Sequence, residues 1–245
     1  MKPDTPLYVH YKNRLAQSPI FKGLCDDTLA DMLAHLNPAT WRKGVVADTA
    51  SPNNRFHLVL DGRIRLERIN AVTGNRVTIF LLGPGDGFDI ISLLDGQPHE
   101  ASLVALEDLE LLSAPTQKVR DWIARHPEFN RNFLPYLAKQ MRSMENLSAD
   151  LATKHTATRL ASLILRHTTP DTGSDHNSHP VNLIHDLSHD ALAHMIGSTR
   201  QVVNQHLHAL RSKGILDNRP RHLAVRELEA LKKQAETFLA DHHRT

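Results

Sequence analysis

The chain has 245 residues, 40% of them hydrophobic and 23% charged, and its 29 Lys and Arg against 27 Asp and Glu leave a formal charge of +2. That length suits one large domain or two modest ones, and the composition excludes a disordered chain, a collagen-like repeat and a chain-wide polyanion binder. The one cysteine, Cys25, excludes a disulfide within the chain and a cluster held by four thiolates of one chain.

The longest apolar runs, near Leu160–Leu165 and Val77–Leu82, fall far below the roughly 18 residues that a membrane span requires. The opening MKPDTPLYVHYK lacks the charged, apolar, small-residue order of a secretory signal. The expectation is a soluble, cytoplasmic protein with no membrane partner.

In chain order, SPIFKGLCDDTLADMLAHL carries Leu29, Met32, Leu33 and Leu36 at helical spacing after Asp26 and Asp27, which can cap. A short amphipathic helix is predicted there, with Cys25 as a buried small hydrophobe. From Thr40 to Ala114 the period changes to two, with turn signals at Pro52–Asn54, Asp61–Gly62, Thr73–Asn75 and Gly83–Gly87. Short strands so spaced predict a small antiparallel barrel. The GPGDG turn at Gly83–Gly87 is expected to join strands with no helix after it. With GxxxxGK[ST], HExxH and GxSxG all missing from the sequence, the expectation is not an enzyme.

Beyond Pro127 the period is helical, and Leu137, Met141, Met144 and Leu151 recur at spacings of 4, 3 and 7, with Ser148 as the polar interruption. The stripe is heptad-like. A seam against a second copy across a two-fold axis is preferred to a cover for the barrel, and Pro135 is expected in the helix's first turn or at a kink. A helix is predicted over Thr156–His167, then a surface loop, TTPDTGSDHNSHP.

The stretch SHDALAHMIGSTRQVVNQHLHALRSKGIL carries the functional reading. Leu187, Leu192, Ala193 and Ile196 share one helical face, Gly197 breaks the helix, and Val202, Val203, Leu207 and Leu210 form the inner face of the next. This is a helix-turn-helix pattern. Outward lie Ser198, Thr199, Arg200, Gln201, Asn204, Gln205 and His208, with no acid among them. Arg pairs bidentately with guanine, and Asn and Gln with adenine. Ser198 and Thr199 suit a phosphate oxygen. Arg200, Arg211, Lys213, Arg219, Arg221 and Arg226 form a basic patch opposed only by Asp217, in which Lys213, Arg219 and Arg221 are placed to hold flanking phosphates. Leu216 and Leu223–Val225 are expected to pair as a wing, and a final helix follows from Glu227.

Barrel, seam helix and winged helix-turn-helix, together with GNRVTIFLLGPGDGFD, DGQPHEASLVALEDLELL and LAHMIGSTRQVVNQHLHALRSKGIL, make the chain resemble the cAMP receptor protein and fumarate–nitrate regulator (CRP/FNR) family over nearly its whole length. The resemblance implies an α+β fold: an N-terminal antiparallel β-roll or jelly-roll sensor domain akin to cyclic-nucleotide-binding domains (1–126), a dimerisation helix (127–153) and a winged helix-turn-helix (154–245). It implies a homodimeric transcription regulator on a palindromic duplex operator, with RNA polymerase as a further partner.

The sequence departs from the family at the ligand loop. Where cAMP-binding members carry Gly-Glu and Arg-Ser pairs, this chain has Phe88-Asp89 and His99-Glu100. Glu100 sets a negative charge where an Arg would fork onto the cyclic phosphate. Met144, which with Glu145 occupies the purine-facing seam positions, cannot hydrogen-bond a base. Ordinary cAMP binding is therefore not expected, and the effector candidates in falling order are none, a cyclic dinucleotide, heme through His99 or His57, and another small molecule. No metal site is expected, because His185, His189 and His194 lack a matching third ligand. The amides at Gln201, Asn204 and Gln205 shift the expected base preference toward adenine. The rival reading is a ligand-sensing module whose helical tail docks a protein, a tail that would want apolar anchors on its outer face.

Overall fold

The computed structural model describes residues 5–48, 55–169, 179–217 and 223–236. The chain divides into two compact units, one of residues 1–69 and 80–143 and one of residues 70–79 and 144–245.

The chain enters the first unit through a helix that the hydrophobic pattern did not reveal. Helix α1 (Pro6–Gln17) is capped by Thr5, whose hydroxyl accepts from Tyr8 N, and it has Pro6 in its first turn. Its sequence signal was therefore a Thr-Pro start, not an apolar stripe, since only Tyr11 and Leu15 are buried. Helix α2 (Asp26–Ala34) follows, with Leu29, Met32 and Leu33 inward. Asp26 and Asp27 stand in its first turn, where they oppose the helix dipole, but the capping position is Cys25. That position keeps the thiol exposed, contrary to the expected burial, with its Sγ 3.1 Å from Thr28 Oγ1.

Ten strands, β1 (Asn37–Trp41), β2 (Val46–Asp48), β3 (Arg55–Asp61), β4 (Ile64–Ile69), β5 (Arg76–Leu82), β6 (Gly87–Phe88), β7 (Ser102–Ala105), β8 (Leu109–Pro115), β9 (His179–Pro180) and β10 (Ala224–Val225), are described. Eight of them make two four-stranded sheets, ordered β1-β8-β3-β6 and β2-β7-β4-β5. Alternation along β3 and β8 sends Phe56, Leu58, Leu60, Leu112 and Ala114 into a core with α1, α2, α4 (Thr116–Arg125) and α5 (Pro127–Thr153). The intervening Val59 and Leu111, also buried, face the opposite side. In the same helical core Phe129 stacks on Phe133, while Phe21, Trp122 and Phe129 meet edge-on or tilted. The GPGDG turn leads into β6 and then α3 (Ile90–Asp95), so a helix does follow it. Six residues are too few for a helical period to show in the sequence.

Helix α5 runs for 27 residues with Pro135 inside it, not in its first turn. The second unit continues with α6 (Thr156–Arg166), α7 (His189–Ile196), α8 (Arg200–Ser212) and α9 (Leu228–Ala235). Its core holds Leu160, Ile164, Leu192, Ile196, Val203 and Leu207. The wing is built differently from the expected strand pair. Ala224 and Val225 pair with Pro180 and His179, the end of the anticipated loop, while Leu216 contributes a single bridge to Val225. Strand partners are set by the tertiary fold, and two-residue strands carry no period of their own. No described helix is long and apolar enough to cross a membrane.

Candidate nucleic-acid interface

Helix α7 starts at Ser188, whose hydroxyl accepts from Ala191 N at 3.1 Å, and ends at Gly197 with φ of 58°. The left-handed residue lets Ser198 N return to Ala193 O at 2.9 Å, which closes the helix end. A Cβ on Gly197 would lie 2.9 Å from Leu151 Cδ2. Glycine is thus required twice, for the dihedral and for the close approach of α5. Thr199 caps α8 by accepting from Val202 N at 3.4 Å, so its oxygen serves the helix while its proton stays available to a phosphate. Ser198 is half-buried in the turn.

On α8, Val203, Leu207 and Leu210 are buried and Val202 is half-buried, whereas Arg200, Gln201, Asn204, Gln205 and His208 are exposed. The structure thus brings these five candidates onto one solvent-facing surface, and among the described residues none of their side chains is committed to an internal hydrogen bond. Lys213 is exposed at the C-cap of the same helix.

Two members of the basic patch make contacts within the chain. Arg226 Nη2 sits 3.1 Å from Oδ1 of buried Asp217, and Arg211 Nε donates to the Asp217 carbonyl at 3.3 Å. Both cations are held by the residue that sequence counting treated only as an opposing charge. Arg219 and Arg221 lie outside the described residues. A group that the sequence pattern missed is His189, at the start of α7. Burial first, then the neighbouring Arg211 and Arg200 charges, hold its pKa below the usual imidazole value. Nothing in the local sequence pointed to that electrostatic influence, because His189 stands on α7 and both arginines on α8.

In the first unit the ligand-loop candidates also converge. Asp89 precedes α3 in the left-handed region, φ 63°, with Oδ2 3.3 Å from His57 Nδ1 and Oδ1 buried without a hydrogen-bond partner. The His57 ring stacks on Phe88 at 4.6 Å, with Trp41 6.0 Å away. His99 has its pKa lowered by burial and then by Arg68, against the opposing pull of Asp89 and Asp95. Glu100 is exposed and its Oε2 faces Arg68 Nη2 at 3.5 Å. Sequence reading missed Arg68, which lies far from the loop in the chain. Met144 and Glu145 are exposed on α5, in the second unit.

A Crp-like helix-turn-helix domain model matches residues 158–234, and a cyclic nucleotide-binding domain model matches residues 43–126. The Cyclic AMP receptor protein of Thermus thermophilus is 30% identical over 220 residues, 89% of this chain and 97% of that protein. This chain belongs to the CRP/FNR family of transcription regulators. A CRP-like cAMP-activated global transcriptional regulator of Mycobacterium tuberculosis is 26% identical over 226 residues, 90% of this chain and 98% of that protein. Among solved structures, a CooA mutant from Carboxydothermus hydrogenoformans superposes with a TM-score of 0.69 at 21% identity, covering 84% of this chain and 90% of that one, a likeness of fold. The chain is thus a family regulator with a helix-turn-helix DNA-binding domain, and its relatives are regulators of transcription, not enzymes.

Proposed function

We propose that this CRP/FNR regulator works as a homodimer that reads a two-fold-symmetric operator in a sequence-specific way, without cAMP as its effector and with RNA polymerase as a further partner. The observation that carries the reading is the outer face of α8: Arg200, Gln201, Asn204, Gln205 and His208 are exposed, free of acid and, among the described residues, uncommitted. Such a face matches base edges and phosphates in a major groove. It offers no apolar anchor of the kind a protein-docking helix requires.

The dimer is supported by α5. Leu134, Met141 and Met144 are 60%, 70% and 40% exposed, and with half-buried Leu137 they continue a 3-4-3 spacing typical of a helix seam. Leu134 extends the stripe beyond the residues that the sequence had singled out. Leu151 is half-buried, and its Cδ2 lies against Gly197 within the chain, so the seam is assigned to the residues before it.

Independence from cAMP is supported by the ligand loop. A cyclic phosphate there would meet the Asp89, Asp95 and Glu100 carboxylates, with Arg68 already facing Glu100. The residues present do not fit that anion. Operation without an effector is the preferred state, ahead of a cyclic dinucleotide or heme.

Sedimentation of the purified protein, with mobility-shift titration on random duplexes across a salt series, tests the homodimer and the operator reading, and repeating the titration with added cAMP, which should leave affinity unchanged, tests the independence from cAMP. A dimer with salt-dependent, sequence-selective binding supports the homodimer and the operator reading. A monomer, or micromolar binding with no selection, favours the ligand-sensing module that docks a protein.

A further inference from the structure

Resting on the DNA-binding reading, the order of side chains along α8 defines the chemistry of its operator. Arg200 and Gln201 stand in the first turn, Asn204 and Gln205 one turn later, and His208 one turn beyond that. With a rise of about 1.5 Å per residue, residues 204 and 205 lie roughly 6–7.5 Å further along the axis than Arg200. That equals about two base steps of about 3.4 Å each.

We propose that each half-site presents a guanine to Arg200 and, about two base pairs further along the groove, A·T pairs to Asn204 and Gln205. The guanidinium offers only donors and matches the two acceptors of guanine, O6 and N7. A carboxamide offers both a donor and an acceptor and so matches the N7 acceptor and N6 amine of adenine. The face contains no carboxylate, so it lacks the acceptor-only group that takes the cytosine amine. The side chains reach solvent from a helix whose inward Val203, Leu207 and Leu210 are fully packed, so the helix cannot roll to present another set. Recognition helices of this type reach bases with their N-terminal residues, which leaves His208 to the sugar–phosphate backbone.

The experiment is a selection from random duplexes by the full-length protein, followed by titration of the winning site with single adenines replaced by 7-deazaadenine. That analogue keeps base pairing and removes the N7 acceptor. The expected result is an enriched half-site with one G·C pair and A·T pairs about two steps away. Each critical analogue weakens the wild-type protein about 5- to 100-fold, and at least one of the losses disappears in Asn204→Ala or Gln205→Ala. Both positions are exposed on a helix, so alanine leaves the fold intact.

Enrichment of sites without A·T pairs at that spacing, or indifference to the analogue, overturns the operator assignment while leaving DNA binding standing. Recovery of no preferred sequence at all overturns the DNA-binding reading itself.

Discussion

The phenolic oxygen of Tyr136 is bonded to both backbone groups of Gly87. It accepts from the Gly87 amide at 3.0 Å and donates to the Gly87 carbonyl at 3.2 Å, while Gln140 Nε2 donates to it at 2.8 Å. Burial, reinforced by the nearby Asp86 carboxylate, raises the Tyr136 pKa, so the hydroxyl stays protonated and can donate. The strand two residues before Asp89 thus hangs from α5 beside seam residue Leu137. A Cβ on Gly87 would fall 2.7 Å from the Phe56 ring, so no larger residue could take its place. Tyr136→Phe keeps the ring and strands a buried amide. The expected cost is about 1–3 kcal/mol, seen as a lower urea midpoint with an unchanged slope.

Gly197→Ala combines a left-handed backbone with a Cβ against Leu151. Destabilisation of about 1–3 kcal/mol is expected, together with weaker operator binding because α8 is displaced. Gly197→Asn relieves the dihedral and keeps the contact. It should recover part of the loss in thermal unfolding; full recovery would assign the whole effect to the dihedral.

Burial, with the Arg166 charge beside it, depresses the His167 pKa to about 4. The folded state therefore resists protonation while the unfolded chain takes up a proton near pH 6.5. Stability from this group is complete above about pH 6.5 and declines as pH falls toward 4, by roughly 2–3 kcal/mol in all. Denaturation measured at pH 7 and pH 5 should show a smaller decline in His167→Gln than in the wild type.

Arg200→Ala and Lys213→Ala separate base reading from phosphate contact. Loss of Arg200 should cost about 1–3 kcal/mol and relax one operator position. Loss of Lys213 should weaken all sequences evenly and lower the salt slope by about one. An equal loss on every duplex for Arg200→Ala would restrict that residue to phosphate.

Met141 is 70% exposed on the isolated chain, so Met141→Asp should leave protomer folding within about 0.5 kcal/mol while placing a charge in each half of the seam. Sedimentation should shift to monomer, with a parallel loss of operator affinity. A dimer that persists would move the interface away from this stripe.

The elements with strong periods were legible from the sequence. The 3.6-residue period between Leu192 and Leu210 gave α7, the turn at Gly197 and the inward and outward faces of α8, because burial along a single helix is recorded in local residue order; Leu187, expected on the first helical face, instead precedes the Ser188 cap and is half-buried. The alternation between Thr40 and Ala114 likewise gave an antiparallel sheet domain. Elements with weak or short periods escaped: α1, which buries only Tyr11 and Leu15, and α3, with only six residues.

What only the tertiary structure decided are relationships between residues remote in sequence. The wing draws its partner from His179–Pro180, Asp217 engages Arg211 and Arg226, Asp89 meets His57, and Tyr136 holds Gly87. Each depends on where separate elements come to rest, which no local pattern encodes. The sequence by itself therefore determined the kind of elements and the chemistry of the reading face. The packing of those elements selected which charges and polar groups stay available for a partner, because a side chain is free only when no distant neighbour has claimed it.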